Sequence, residues 1–359
     1  MKRNLLVFSA FLALTMAACA GPERPPCAAK GEIETVCGFR NPEDLEYVAS
    51  ASIVVVSNMR HNGPHEDGGY LSGFTPSNRR TFALWQGGAS AHDAGLGDPN
   101  CSEAPAQRAF YPHGLTSIVT DERALVYVAA HAGTLGGREA IEIFELNGDG
   151  EEARLIWKAC IPSPSGVQIN DLAVSPDGLL LASNYLPDPS MRHSIAASIF
   201  RRPTGDVMTW TDKEGWRHLP KTSALMANGV ALSADGQTIF YAETIAGRLH
   251  RRALDDPSGR IYIDLNGLPD NLSWTARGTL LVAVHTSASE LFRCFLRAGA
   301  CRASWSVYEI EPTTLSIKNV VAHSGDSIGA VATALDVDGD LLLSSVFDDR
   351  IGLVRAYVQ

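Results

Sequence analysis

The stretch "INDLAVSPDGLLLASNY", Ile169 to Tyr185, decides the fold. It reads as a polar pair, an alternating strand, a turn at Pro-Asp-Gly and a second apolar strand, which is the pattern of a β-hairpin. Five other segments repeat the phrase: "PEDLEYVASASIVVVSNM" from Pro42, "PHGLTSIVTDERALVYVAAH" from Pro112, "ANGVALSADGQTIFYAET" from Ala227, "PDNLSWTARGTLLVAVHT" from Pro269 and "VATALDVDGDLLLSSVFDDR" from Val331. "PDG", "ADG" and "DGD" supply the turn residues that two-residue hairpins demand. The copies recur every 55 residues or so, roughly enough for four short strands each, and self-similarity of this kind marks radial repetition. Six copies predict an all-β chain folded as a six-bladed β-propeller over residues 35–359. A β-sandwich array is the rival, and six hairpins built on one phrase argue against it. Helical spacing is scarce; "SMRHSIAASIF" from Ser190 suits a short connecting helix or a strand equally well.

Residues 1–20 read as an export signal: Lys2 and Arg3, the apolar core "NLLVFSAFLALTM", then small residues in "AACAG". The core is shorter than the 20 or so apolar residues, roughly, of a membrane span. Met16-Ala17-Ala18-Cys19 resembles a bacterial lipobox, which would make Cys19 a lipid anchor in the cell envelope, although Leu is usual where Met16 stands. Ordinary cleavage after Ala18-Cys19-Ala20, giving a periplasmic or secreted protein, is the alternative. Residues 21–34, with "GPERPP", read as a tether.

Asp and Glu number 40 against 30 Lys and Arg, and no basic block occurs, which argues against a nucleic-acid partner. Beyond Cys19 the cysteines are Cys27, Cys37, Cys101, Cys160, Cys294 and Cys301, an even set compatible with disulfides in an exported chain. Cys294 and Cys301 flank "FLRAGA" and could close a hairpin. Zinc is the competing use of cysteine, but no CxxC spacing is present to support it.

Five of the phrases open on a pair: Glu43-Asp44, His113-Gly114, Asn170-Asp171, Asn228-Gly229, Asp270-Asn271. In a propeller the innermost strands run parallel along the central channel, so equivalent strand starts converge at one end of it. Glu43, Asn170, Asn228, Asp270 and Asn271 would then meet, bringing together two carboxylates and three amides. Such hard oxygen donors suit Ca²⁺, which takes roughly 6 to 8 oxygens. Each residue alone has a structural explanation, since Asn-Gly is a turn dipeptide and Asp171 could satisfy backbone N–H groups. Their shared phase points to a metal, because converging buried carboxylates are costly without a cation.

At these residues the chain resembles the paraoxonases, the serum arylesterase and lactonase family within the gluconolactonase-like propellers. "GFRNPEDLE", "YPHGLTSIVTDE", "VYVAAH", "INDLAVSPDG", "ANGVALSADGQTIFYAE", "PDNLSW" and "LLLSSVF" carry the resemblance, in family order from near Cys37 almost to the C-terminus. It implies two calcium ions. The catalytic ion would be held by Glu43, Asn170, Asn228, Asp270 and Asn271, and a structural ion by Asp44, Asp171 and the backbone carbonyl of Leu115. His113 and His131 match a histidine pair that activates water, with His131 orienting His113, and His285 matches a pocket histidine. The family commonly closes its ring with a disulfide to a cysteine near the C-terminus. This chain ends "IGLVRAYVQ", so Cys37 must pair elsewhere, with Cys27 as one candidate, or stay free. Where vertebrate members carry an aspartate and a histidine, this chain has "SNYLPD".

The expected function is a calcium-dependent hydrolase of small-molecule lactones and aryl esters, touching membrane only through a lipid on Cys19. A sugar-lactone hydrolase of gluconolactonase type and a non-catalytic, calcium-stabilised binding propeller are the alternatives. A propeller is the wrong fold for the strand-to-helix nucleophile elbow of a serine hydrolase, which argues against that chemistry.

Overall fold

A computed structural model describes residue 27 and residues 32–59, 68–120, 123–131, 137–186, 202–296 and 301–357. It has six four-stranded antiparallel sheets arranged as the blades of a propeller. Blade 1 is β2 (Pro42–Val48), β3 (Ile53–Asn58), β4 (Tyr70–Thr75) and β5 (Arg80–Trp85). Blade 2 is β6 (Tyr111–Val119), β7 (Ala124–His131), β8 (Ala140–Asn147) and β9 (Arg154–Pro162). Blade 3 holds β10 (Gln168–Val174), β11 (Leu180–Leu186), β12 (Asp206–Thr211) and β13 (Gly215–His218). Blade 4 holds β14 (Ala227–Leu232), β15 (Thr238–Glu243), β16 (Arg248–Ala253) and β17 (Ile261–Asp264). Blade 5 holds β18 (Leu268–Trp274), β19 (Leu280–His285), β20 (Trp305–Ile310) and β21 (Ile317–His323).

The ring closes without a terminal disulfide. Blade 6 takes β22 (Ala334–Val337), β23 (Asp340–Leu343) and β24 (Arg350–Val354) from the C-terminal end and β1 (Glu34–Cys37) from the N-terminal end, with Glu34 opposite Leu353 and Cys37 opposite Arg350. The closing strand therefore begins at Glu34, the last residue assigned to the tether. Cys37 pairs with Cys27, and the other disulfides are Cys101–Cys160 and Cys294–Cys301.

The run "IVVVSN" in β3 shows why these strands are apolar on both faces. Ile53 and Val55 pack toward blade 2 against Leu115, Val126 and Phe144, while Val54 and Val56 pack toward blade 6 against Leu335, Leu342 and Ile351. Side chains alternate with period two, so a strand sandwiched between blades needs apolar residues at every position. The same arrangement repeats around the ring, one apolar cluster at each blade interface. Burying each such side chain contributes about 1.5–3 kcal/mol.

Two local expectations are revised. Among the described residues only blade 6 has the two-residue turn, Asp338-Gly339, with φ of 54° and 85° between paired Val337 and Asp340. In blade 3 the loop is longer: the Ser175 N–H donates to the Leu179 carbonyl, and the Gly178 N–H donates to the Ser175 carbonyl. Blades 4 and 5 repeat this through Ser233 and Thr275, whose hydroxyls also accept backbone N–H groups inside the loop and so favour it over the tighter turn. The Cys294–Cys301 bridge does not close a hairpin either. Cys294 lies in a helix, α1 (Ala288–Leu296), which the bridge ties to the approach to β20. Ser287 and Glu290 form the helix-start spacing, the Ser287 hydroxyl accepting the Glu290 N–H, and Leu291 and Cys294 pack together near Phe347. The segment from Ser190 and residues 1–20 lie outside the described residues.

Candidate active site

Five inner strands break their pairing at one equivalent place. Pro42 faces Asn58 and Leu45 faces Val56, so Glu43 and Asp44 stand opposite the single residue Ser57. His113 and Gly114 stand in the same way opposite Ala129, Asn170 and Asp171 opposite Ser183, Asn228 and Gly229 opposite Ala242, and Asp270 and Asn271 opposite Ala283. Two residues against one is a β-bulge, which bends the strand and re-aims its side chains. The polar pairs are thus the bulge residues of the inner strands, which is why they share one phase in the sequence.

The polar side chains at these bulges are buried together. Glu43 and Asn271 are 1% exposed, Asn170 3%, Asn228 5% and Asp270 7%. Asn271 Nδ2 donates to Glu43 Oε1 at 2.9 Å and to Thr333 Oγ1 at 3.0 Å, linking blades 5, 6 and 1. His113 Nδ1 lies 3.2 Å from Glu43 Oε1. Burial, with Asp44 and then Asp270 nearby, pushes the Glu43 carboxyl well above the ordinary range. Protein alone therefore leaves this end of the channel with unfavourable negative charge.

Among the described residues, four oxygens here are buried without a hydrogen-bond partner: Glu43 Oε2, Asn170 Oδ1, Asn228 Oδ1 and Asn271 Oδ1. Buried acceptors are seldom left so, and each costs about 1–3 kcal/mol. They come from blades 1, 3, 4 and 5, and all four belong to the five residues expected to hold the catalytic ion. The donor set fits a hard cation. Among the described residues no group of three or more His, Cys, Asp and Glu side chains is placed to hold an ion, so any site here depends on the three asparagine amides.

The residues expected to hold a second ion have other partners. Asp44 Oδ1 accepts the Leu45 N–H at 2.8 Å and the Thr333 hydroxyl at 2.7 Å, and its Oδ2 accepts the Leu115 N–H at 2.6 Å. Asp171 Oδ1 accepts the Leu172 N–H and its Oδ2 the Val230 N–H, each at 2.8 Å. Each aspartate bonds its own bulge and the next blade, and the Asp44 and Asp171 N–H groups donate to Ser57 and Ser183 hydroxyls. Leu115 meets Asp44 through its N–H, not its carbonyl. The two aspartates expected to hold a second ion thus also latch neighbouring blades directly. Between these latches the neighbouring blades come so close that only glycine fits: a Cβ on Gly114 would meet Asp171 Oδ1 at 2.5 Å, and one on Gly229 the Asp270 carbonyl oxygen at 2.5 Å.

The histidines fall into two groups. His113 and His131 meet edge to face, ring centroids 4.8 Å apart at 74°, and His131 Nδ1 lies 2.9 Å from Glu139 Oε2. His285 is 2% exposed, and its Nε2 lies 2.8 Å from Asp270 Oδ2. It is buried, not on the surface, and it holds a carboxylate of the cluster. Tyr185, within "SNYLPD", also belongs here: burial, then the charges of Asp270 and Glu43, raise its phenol above the usual range. Sequence reading passed over Tyr185, Glu139 and Thr333. Only Thr333 carried a signal, as the second residue of the pair position in the sixth phrase, Ala332-Thr333.

A model of the SMP-30/gluconolactonase/LRE-like region matches residues 102–316, which takes in Asn170, Asn228, Asp270 and Asn271 but not Glu43 or Thr333. A luciferin-regenerating enzyme superposes with TM-score 0.52 at 12% identity, covering 90% of this chain and 94% of that one. A gluconolactonase from Xanthomonas campestris superposes with TM-score 0.51 at 14% identity, covering 93% and 97%. At these identities the likeness speaks for the propeller fold. Hemomucin of Drosophila melanogaster, an adipocyte plasma membrane-associated protein, is 30% identical over 125 residues, 34% of this chain and only 21% of that protein.

Proposed function

The chain belongs to the SMP-30/gluconolactonase/LRE-like family, and from that premise we propose that it hydrolyses lactones at a single calcium site held by Glu43, Asn170, Asn228, Asp270 and Asn271. The observation that carries the reading is the set of four orphaned buried oxygens delivered by four different blades. Bound there, calcium would polarise the substrate carbonyl and offset the charge of the tetrahedral intermediate, a contribution of several kcal/mol, roughly, in such sites.

The chain's own groups supply the rest. His113, beside Glu43, takes the proton of the attacking water, a task suited to an imidazole whose ordinary pKa is about 6.5. His131 packs against its edge and fixes its orientation. His285 holds Asp270 through their hydrogen bond, and Asn271 holds Glu43. Tyr185 lies beside the same cluster and would offer its phenol to a substrate oxygen.

The histidine pair favours the paraoxonase-like reading, in which aryl esters are also cleaved. The family match supports sugar lactones equally, and a propeller that binds calcium without catalysis is the remaining reading. Hydrolysis of alkyl lactones, gluconolactone and phenyl acetate, each measured against free calcium, separates them: activity toward the first and last supports the proposal, gluconolactone alone the sugar-lactone reading, and none the binding propeller. We also read residues 1–20 as an export signal with Cys19 as lipid anchor; metabolic labelling with a fatty acid that is lost in Cys19→Ser supports this, and unlabelled wild type refutes it.

A further inference from the structure

We propose that Glu139 is the positioning residue of the histidine pair, selecting the Nδ1–H tautomer of His131. This rests on the reading of His113 and His131 given above and adds a member that the sequence did not suggest. His131 ends β7 and pairs in the ladder with Tyr111, while His113 sits in the adjacent β6 bulge. Glu139 immediately precedes β8, and its backbone carbonyl accepts the Ser163 N–H at 2.9 Å, which anchors it beside the end of β7. Its Oε2 lies 2.9 Å from His131 Nδ1, with both side chains about one-fifth to one-quarter exposed, 20% and 24%. The neighbouring cation does not compete, because Arg138 is committed to Glu142 through Nε at 2.7 Å and Nη2 at 2.8 Å.

An ionised carboxylate only accepts hydrogen bonds, so the His131 nitrogen facing it must carry the proton. In the neutral ring Nε2 is then the acceptor. The two rings meet edge to face, and the row runs Glu43, His113, His131, Glu139, with a carboxylate at each end. When His113 gains the water proton, an acceptor nitrogen and an anion behind His131 stabilise the added charge. Carboxylates behind functional histidines do the same elsewhere, and their loss typically costs roughly 10 to 100-fold.

The test uses full-length wild type, Glu139→Ala and Glu139→Gln. Ring-nitrogen NMR of wild-type His131 should show the Nδ1–H tautomer, and Glu139→Ala should lose it. Glu139→Gln, whose amide oxygen still accepts, should keep it. In lactone hydrolysis Glu139→Ala should lower kcat by about tenfold or more with KM within about twofold, and Glu139→Gln should recover most of the rate. Calcium affinity and melting temperature should be unchanged in both. An Nε2–H tautomer in wild type, or full kcat in Glu139→Ala, overturns the proposal. A wild type that hydrolyses nothing contradicts the proposed function instead, while the NMR spectrum still decides the Glu139 contact.

Discussion

Asn271 Nδ2 donates to Glu43 Oε1 at 2.9 Å across 228 residues of sequence. Because the amide nitrogen is spent on Glu43 and Thr333, the amide oxygen is left buried and unpartnered, as is the second Glu43 oxygen. One hydrogen bond thus orients two oxygens into the cluster. Asn271→Asp removes the donor and sets two carboxylates face to face. It should lower the stability of chelator-treated protein by a few kcal/mol, roughly, and that of calcium-loaded protein by less. Melting curves with and without calcium check this; equal losses in both would show that no cation reaches the pair.

Asp171→Ala orphans the N–H groups of Leu172 and Val230 and unlatches blade 3 from blade 4. The expected cost is about 2–5 kcal/mol, with calcium affinity and kcat within about threefold of wild type. Denaturant unfolding and calcorimetric calcium titration measure the two quantities. Loss of a bound ion without loss of stability would instead assign Asp171 to a second calcium site.

Glu46 adds a pH dependence. Burial pushes its carboxyl from 4.5 up to about 7, although the Ser117 hydroxyl donates to it at 2.6 Å. The folded protein therefore holds this proton more tightly than the unfolded chain does. The associated stability is fully present below pH 4.5 and is lost as pH rises to about 7. Glu46→Gln should leave stability at pH 4 unchanged and raise it above pH 7 by roughly 1–3 kcal/mol. Unfolding in chelator across this range checks the sign; destabilisation at high pH would mean the carboxylate is ionised and paired.

The propeller was legible because each blade repeats one hydrophobic phrase, and the burial of "IVVVSN" on both faces explains why those strands lack a polar side. The cluster residues were legible because bulges fall at the same phase in five blades, so an equivalent position in sequence becomes a common place in space. Glu139 was not, since it lies outside the repeated phrase and meets His131 only where the end of β7 approaches the start of β8. The fate of Asp44 and Asp171 was open in the sequence, because an aspartate next to a ligand serves a metal or a backbone amide equally well until the neighbouring strand is placed. The helix Ala288–Leu296 was missed because nine residues with a half-exposed apolar face give little periodic signal between two strands.

His113→Gln should slow lactone hydrolysis by roughly 10² to 10⁴-fold while calcium affinity stays within about threefold, since the orphaned oxygens lie on other residues. Unchanged turnover would remove the histidine pair from the reaction.

The most direct test is the rate of lactone hydrolysis by wild-type protein as a function of free calcium, followed alongside its melting temperature. A single site on the inner-strand bulges predicts no hydrolysis in chelator, recovery along a one-site curve, and a melting temperature that rises as that site fills. Full hydrolysis by protein shown by elemental analysis to be free of metal would contradict it.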